Sequence, residues 1–210
     1  MAGVGRISGF TGWGALSDQD ISEACSLARQ ALEAERDDAE TIWQAARTLF
    51  YLAGEAAMAA AAFDRALALN PNAAHAWLFR GNIHALRNQP EAAIKATERA
   101  RRLSPFDPLA FHYAGNIAIA HLAARRFEQA IEWADRALHD QPRQIAAMRV
   151  KIAANAHLGR LDEARVELSR MLANDPKLTI AGFRDVAHYV APEFLELYVT
   201  GLRLAGLPEK

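Results

Sequence analysis

Two tryptophans, Trp43 and Trp77, stand at positions i and i+34, and prolines keep a related beat behind them at Pro71, Pro105, Pro142 and Pro176. A fixed recurrence of this length marks stacked supersecondary units, none of which can bury its apolar face alone. Neighbours must stack into one continuous core, so the chain is expected to be an elongated array with a long contact surface.

The segment from Ala74 to Asp107 defines the unit. Trp77, Gly81 and His84 follow at spacings of four and three, one face of a helix. After Gln89 and Pro90 a second helix carries Ala93, Thr97 and Ala100 on one face, and Ser104-Pro105 stops it. Pro90 suits a first helical turn, where its missing N–H costs nothing. Gly81 and Ala93 let the paired helices approach closely, while Trp77 fills the gap toward the next hairpin.

The unit before it, about Glu40 to Ala73, supplies Trp43, Phe50, Gly54, Ala59, Phe63, Ala66 and Pro71, with Arg47 at the place of the glycine. In the unit after it, Phe111 and Gly115 repeat Trp77 and Gly81 at i+34, yet Pro142 repeats Pro105 only at i+37. The three extra residues are expected in a first helix lengthened by one turn, Pro108 to Ala124. The fourth unit carries Ala164, Leu168, Met171 and Pro176, with Met148 and Ile152 replacing Trp and Gly. The expected organisation is a degenerate unit over 1–39, units at 40–73, 74–107, 108–144 and 145–178, and a cap over 179–210. Within the first, Asp18 to Ala34 reads as a second helix entered through Ser17-Asp18-Gln19-Asp20, and Ile7 to Trp13 as the stub of its partner. Within the last, Pro192 to Ala205 reads as an amphipathic helix led by Phe194, Leu195, Leu197, Tyr198 and Leu202, laid over the open end of the fourth unit.

These residues resemble the tetratricopeptide repeat, whose pattern runs Trp, Leu, Gly, Tyr, Ala, Phe, Ala, Pro. Trp77, Gly81, Ala93, Ala100 and Pro105 match it, while Arg80, His84 and Thr97 depart from it. The resemblance implies an all-α fold, a right-handed α-α superhelix of antiparallel helix hairpins closed by a C-terminal capping helix. A narrower resemblance rests on the tail GLRLAGLPE, Gly201 to Glu209, with RLSPFDP ending at Pro108, AIEWADRA from Ala130, HLGRLDEA from His157, and Gly12-Trp13 near Ser17-Asp18. It is similar to the tetratricopeptide module that follows a class III adenylate cyclase domain or a winged-helix domain in bacterial regulatory proteins. The repeats and cap occupy the whole chain, so it corresponds to the accessory module alone.

Bulk composition narrows the function. Lys plus Arg total 24 against 25 Asp plus Glu, a net charge of -1, which lacks the basic excess that nucleic-acid binding requires. The basic run Lys95, Arg99, Arg101 and Arg102 is interleaved with Glu91 and Glu98 and reads as a solvated face. One cysteine, Cys25, permits no internal disulfide; with no signal peptide and no membrane-length apolar run, a cytoplasmic location is expected. The seven histidines form no helical i, i+4 pair, and neither HExxH, CxxC nor a phosphate loop occurs. No catalytic residue, metal ligand or cofactor is expected.

The resemblance implies that the first helices line a concave groove. The inward positions are Thr41, Gln44, Thr48 and Tyr51, then His75, Leu78, Asn82 and Ala85, then Leu109, His112, Asn116 and Ile119, and last Ala146, Arg149 and Ala153. Relatives that clamp a terminal carboxylate place cations beside such asparagines. Here Gln44, Thr48, Leu78 and His112 hold those places and Arg149 stands alone, which argues against a chaperone-tail clamp. The primary amides of Asn82 and Asn116 suit the main chain of an extended peptide. The expected site is therefore a mixed groove of Gln44, Thr48, Leu78, Asn82, His112, Asn116 and Arg149, taking a peptide or protein partner. Replacing both asparagines by alanine is expected to abolish capture with melting unchanged. The function so implied is a non-catalytic interaction scaffold. The alternatives are the regulatory part of an adenylate cyclase and a homo-oligomer that swaps its Pro192–Ala205 helix. Bacterial signalling is the setting that the narrower resemblance implies.

Overall fold

The computed structural model describes residues 16–34 and 37–210. Ile7 to Trp13, expected as a helix stub, lies outside the described residues, as do Gly12-Trp13. Among the described residues the chain is helical throughout, with no strand. α1 (Asp18–Ala34) precedes four hairpins: α2 (Ala39–Thr48, continued by a π-helical segment Leu49–Ala53) with α3 (Ala56–Leu69), α4 (Ala74–Leu86) with α5 (Pro90–Leu103), α6 (Ala110–Ala123) with α7 (Phe127–Asp140), and α8 (Ile145–His157) with α9 (Leu161–Asn174). α10 (Ile180–Val186) and α11 (Pro192–Ala205) follow. The hairpins stack into the superhelix that the repeat period predicts.

Local chemistry sets the ends of these helices. Ser17 and Asp20 form a reciprocal capping box at the start of α1, each side chain accepting the other's backbone N–H. Asp38 accepts from the N–H groups of Glu40 and Thr41 at the start of α2. Pro90 and Pro192 open α5 and α11 in the first turn. Each hairpin turns through one left-handed residue: Gly54, Asn88, Arg125 and Gly159.

Those four residues correct the reading of the third unit. Asn88 follows Gly54 at i+34 and Gly159 follows Arg125 at i+34, but Arg125 follows Asn88 at i+37. α6 has 14 residues against 13 in α4 and α8, so the helix absorbs only one of the three extra residues. The linker 104–109 holds the other two, and Leu109 is not yet helical because Asp107 caps the turn by accepting its N–H. Counting back from the left-handed residue, the place of Gly81 falls to Ala118, which is fully buried. Gly115 instead faces the linker between α7 and α8, where a Cβ would lie 2.6 Å from Gln144 Nε2.

Close approach governs the core. A Cβ on Gly81 would collide with Thr97 Oγ1 and lie 3.1 Å from the Ala93 carbonyl, so α4 and α5 touch backbone to side chain. Alanines at 59, 66, 93, 100, 130, 137 and 164 are fully buried along the second helices, and their lack of side-chain entropy makes such tight contact inexpensive. Arg80, which departs from the family's leucine, pairs with Asp64 of the preceding unit. The same offset recurs as Lys151 with Asp135 at 2.7 Å, so an ion pair on the outer wall ties unit one to unit two and unit three to unit four.

The C-terminal region departs from expectation in its bearing. α11 lies chiefly along α8, the inner helix of the fourth hairpin, and only secondarily on α9. Between α10 and α11 a strap, Ala187 to Ala191, runs back across the concave side. Tyr189 packs its ring 5.2 Å from Phe50 and 5.1 Å from Tyr51 in the first hairpin, and the Ala191 N–H donates to the Leu86 carbonyl at 2.9 Å. A cap with one apolar stripe would stop at the solenoid's end. Here Tyr189, Val190, Phe194, Leu197, Tyr198, Val199 and Leu202 are all buried, and they need apolar surface on more than one side.

Candidate partner-binding surface

The concave side is built from the first helices of the hairpins and splits into two zones. Over the π-helical segment after α2, at the end of α4 and along α8, the strap and α11 cover it. Along α2 and toward the starts of α4 and α6 it stays open.

In the open zone Gln44 is exposed and receives support from Glu40, whose Oε1 accepts its amide at 2.7 Å. Thr48 is half-buried and spends its hydroxyl on the Gln44 carbonyl at 3.1 Å. His112 is half-buried beside Phe111, with ring centroids 4.2 Å apart. Burial, then the Arg47 guanidinium, hold its pKa down to about 4; His75 adds to the depression and Asp107 opposes it. His112 is therefore a neutral imidazole at pH 7, a hydrogen-bonding group rather than a cation.

The aromatic floor of this zone has no counterpart among the expected groove residues. Trp43 stacks on Phe79 at 5.3 Å with planes 13° apart, and the Arg47 guanidinium lies 4.6 Å from the Phe79 centroid. His75 stands near Trp43 and pairs with Asp107 at 2.9 Å. The signal in the sequence is Arg47 itself: an arginine at a position reserved for a small residue must leave sideways, and the nearest apolar surface receives it.

Of the remaining expected residues, Leu78, Asn116 and Arg149 are buried and Asn82 is half-buried. Leu78, Asn116 and Arg149 are 0%, 5% and 2% exposed. Asn82 and Asn116 turn toward each other. The Tyr51 hydroxyl donates to Asn82 Oδ1, Asn82 Nδ2 donates to Asn116 Oδ1 at 2.7 Å, and Asn116 Nδ2 donates to the Leu78 carbonyl at 3.0 Å. The ladder stitches three hairpins together. It corrects the expectation that both amides can be removed with melting unchanged: Asn116→Ala alone should cost about 1–3 kcal/mol, because it leaves the Asn82 amide without its acceptor. Urea unfolding of that variant beside Gln44→Ala, which should move stability by less than about 0.5 kcal/mol, checks this.

Arg149 sits beneath the C-terminal region, its guanidinium 5.1 Å from the Phe183 centroid and close to Tyr189 and Tyr198. Burial pulls its pKa down to about 10. Among the described residues no cluster of three metal-ligating side chains occurs and no helix is long and apolar enough to cross a membrane. Cys25 is buried with Ala28, Ala45, Leu49 and Leu52, and burial pushes its thiol pKa up, away from reactivity. On the outer wall, Arg102 pairs with Glu98, which partly neutralises the basic run, while Glu91 pairs with Arg126.

The tetratricopeptide repeat profile matches residues 44–108 and 116–178. The first match runs through most of the linker 104–109 and the second resumes inside α6, so the gap between them falls in the lengthened third unit. No curated protein sequence matches the chain. Among solved structures the chain is similar to PilW, a type IV pilus biogenesis factor, at 18% identity and TM-score 0.67, covering 86% of this chain and 83% of that one. A thermophilic tetratricopeptide protein of Thermus thermophilus matches at 18% identity and TM-score 0.63, covering 88% and 92%. YrrB, described as having an unusual peptide-binding site, matches at 22% identity and TM-score 0.52, covering 86% and 91%. Identities this low speak for the fold alone.

Proposed function

We propose, from the premise that this chain belongs to the tetratricopeptide repeat family, that it is a non-catalytic scaffold holding a peptide or protein segment on its concave side. The observation that carries this reading is the open zone, where the partly exposed Phe79 ring, backed by the buried Trp43, is flanked by Gln44, Thr48, His75 and His112. Such a surface offers apolar area for anchoring and a few oriented polar groups for register, the combination that binding sites use. Leu78, Asn82, Asn116 and Arg149 serve the same groove from below, by fixing the relative placement of its helices. The tail's resemblance supports a setting in bacterial signalling, as the accessory module beside an adenylate cyclase or winged-helix partner.

Selection of a displayed peptide library on the full chain tests the reading. Selected peptides should lose at least tenfold in affinity against the triple variant Gln44→Ala, Thr48→Ala, His112→Ala, and keep it against the outer-wall variant Lys95→Ala, Arg99→Ala. Equal loss on both, or on neither, rejects the groove.

A further inference from the structure

On the outer wall, the furrow between α7 and α9 corresponds position by position to the furrow between α3 and α5. Asp64, Pro71, Asn72, Trp77, Arg80 and Arg99 of the earlier furrow recur 71 residues later as Asp135, Pro142, Arg143, Met148, Lys151 and Arg170. The ion pair that spans each furrow is kept, Arg80 with Asp64 in one and Lys151 with Asp135 in the other.

Two exchanges set the later furrow apart. In the earlier one the Trp77 indole donates to the Pro71 carbonyl at 2.9 Å, and Arg99 donates to Asn72 Oδ1 at 3.4 Å, so the furrow closes on itself. In the later one Met148 stands in place of the indole, and a cavity of about 350 Å³ is walled by Leu138, Pro142 and Met148. Arg143 takes the place of Asn72 and lines that cavity together with Arg170. A guanidinium carries donors only, so these two arginines cannot satisfy each other as Arg99 and Asn72 do.

Charge defines what is missing. Lys151 meets Asp135 at 2.7 Å, and the buried Glu167 carboxylate lies 3.4 Å from Arg170 and 3.7 Å from Lys151. The last two distances exceed the ~2.7–2.9 Å of a charge-assisted hydrogen bond. Three cations, Arg143, Lys151 and Arg170, stand against two carboxylates, Asp135 and Glu167, which leaves one positive charge over. The cavity therefore lacks one anionic acceptor beside an apolar wall.

We propose that the furrow between α7 and α9 is a second binding site, on the opposite side from the concave groove, for an acidic peptide segment. One carboxylate of the peptide bridges Arg143 and Arg170, and a neighbouring aliphatic side chain enters the cavity against Leu138 and Met148. Arginine suits this role because its planar fork of donors matches a carboxylate. The site stands apart from the concave one, and its test reads different residues.

A displayed library of random short peptides is selected on the full chain, and each selected peptide is then measured on two variants. Arg143→Asn copies the arrangement of Asn72 with Arg99, and it alters an exposed side chain, so the fold persists. Peptides that carry Asp or Glu beside Leu, Ile, Val or Met should lose roughly tenfold or more in affinity on it, the scale of one charge-assisted contact. The same peptides should keep their affinity for the concave variant Gln44→Ala, Thr48→Ala, His112→Ala. Met148→Trp, which copies Trp77, should fill the cavity and release them as well; should that variant fail to fold, Arg143→Asn decides alone. The proposal is overturned if no selected peptide weakens on Arg143→Asn, or if those that weaken lack an acidic residue. It is equally overturned if sodium phosphate alone shifts the Arg143 and Arg170 Nε–H resonances while no peptide does, which makes the furrow a site for a free anion.

Discussion

Phe50→Ala is expected to lower the unfolding free energy by about 3–5 kcal/mol, the range for deleting a fully buried aromatic ring. Phe50 is 0% exposed, sits in the π-helical segment after α2, and touches Tyr51 edge-on at 5.1 Å and Tyr189 at 5.2 Å. Its removal opens a cavity at the point where the first hairpin meets the strap, so the cost includes lost packing on both. For a chain of this size the melting temperature should fall by roughly 6–20 °C. Phe106 provides the internal contrast: at 96% exposure in the inserted linker, its replacement by alanine should change stability by less than about 0.5 kcal/mol. Denaturant unfolding of the two variants side by side decides the matter, and equal effects would mean that the strap contact is not formed.

Acid should destabilise the chain through His112. Its folded pKa is about 4, and the ordinary value in an unfolded chain is 6.5. Above pH 6.5 both states hold a neutral ring and the group contributes no pH dependence. Between pH 6.5 and 4 the unfolded chain takes up a proton that the folded chain refuses, so stability falls as pH falls. The full difference is about 3 kcal/mol, lost by roughly pH 4. The groups facing the ring are Arg47 from α2, His75 from α4 and Asp107 from the linker. His112→Phe should flatten this limb without shifting the neutral-pH melting temperature by a comparable amount. Urea midpoints measured at half-unit steps from pH 7 to 4 give the test; an unchanged acid limb in the variant assigns the effect elsewhere.

What can be read from the sequence is whatever packing repeats. Trp77, Gly81 and Ala93 announce a hairpin because every hairpin needs a close approach at the same offset, while caps and prolines bound α1 and α11. The insertion is detectable but misplaced, since Phe111 and Gly115 imitate Trp77 and Gly81 one turn too early. Only the left-handed Arg125 fixes the true register. The expected groove residues fall on first helices, yet burial divides them. Nothing local distinguishes Gln44, open to solvent, from Asn116, enclosed beneath neighbours contributed by other units. Tyr189 and Phe50 stand at opposite ends of the repeat array in sequence, and no period reports a contact of that kind. The tail that carries the narrower resemblance has a structural reason at each of its key positions. Gly201 permits the close contact of α11 with α8, Gly206 ends α11 in the left-handed region, Leu207 is buried, and Pro208 and Glu209 accept from α10.

The strap also bears on the order in which the chain acquires its fold. Stacked repeats ordinarily gain stability neighbour by neighbour, so an early hairpin is finished once the next is made. Here the apolar end of the first hairpin, at Phe50 and Tyr51, receives its cover from residues translated after all four hairpins. During synthesis that surface stays bare for the time needed to make well over a hundred further residues, several seconds or more at ordinary ribosomal speed. The first hairpin is therefore the earliest to be made and the last to have its apolar end covered, its burial complete only once the strap has been made.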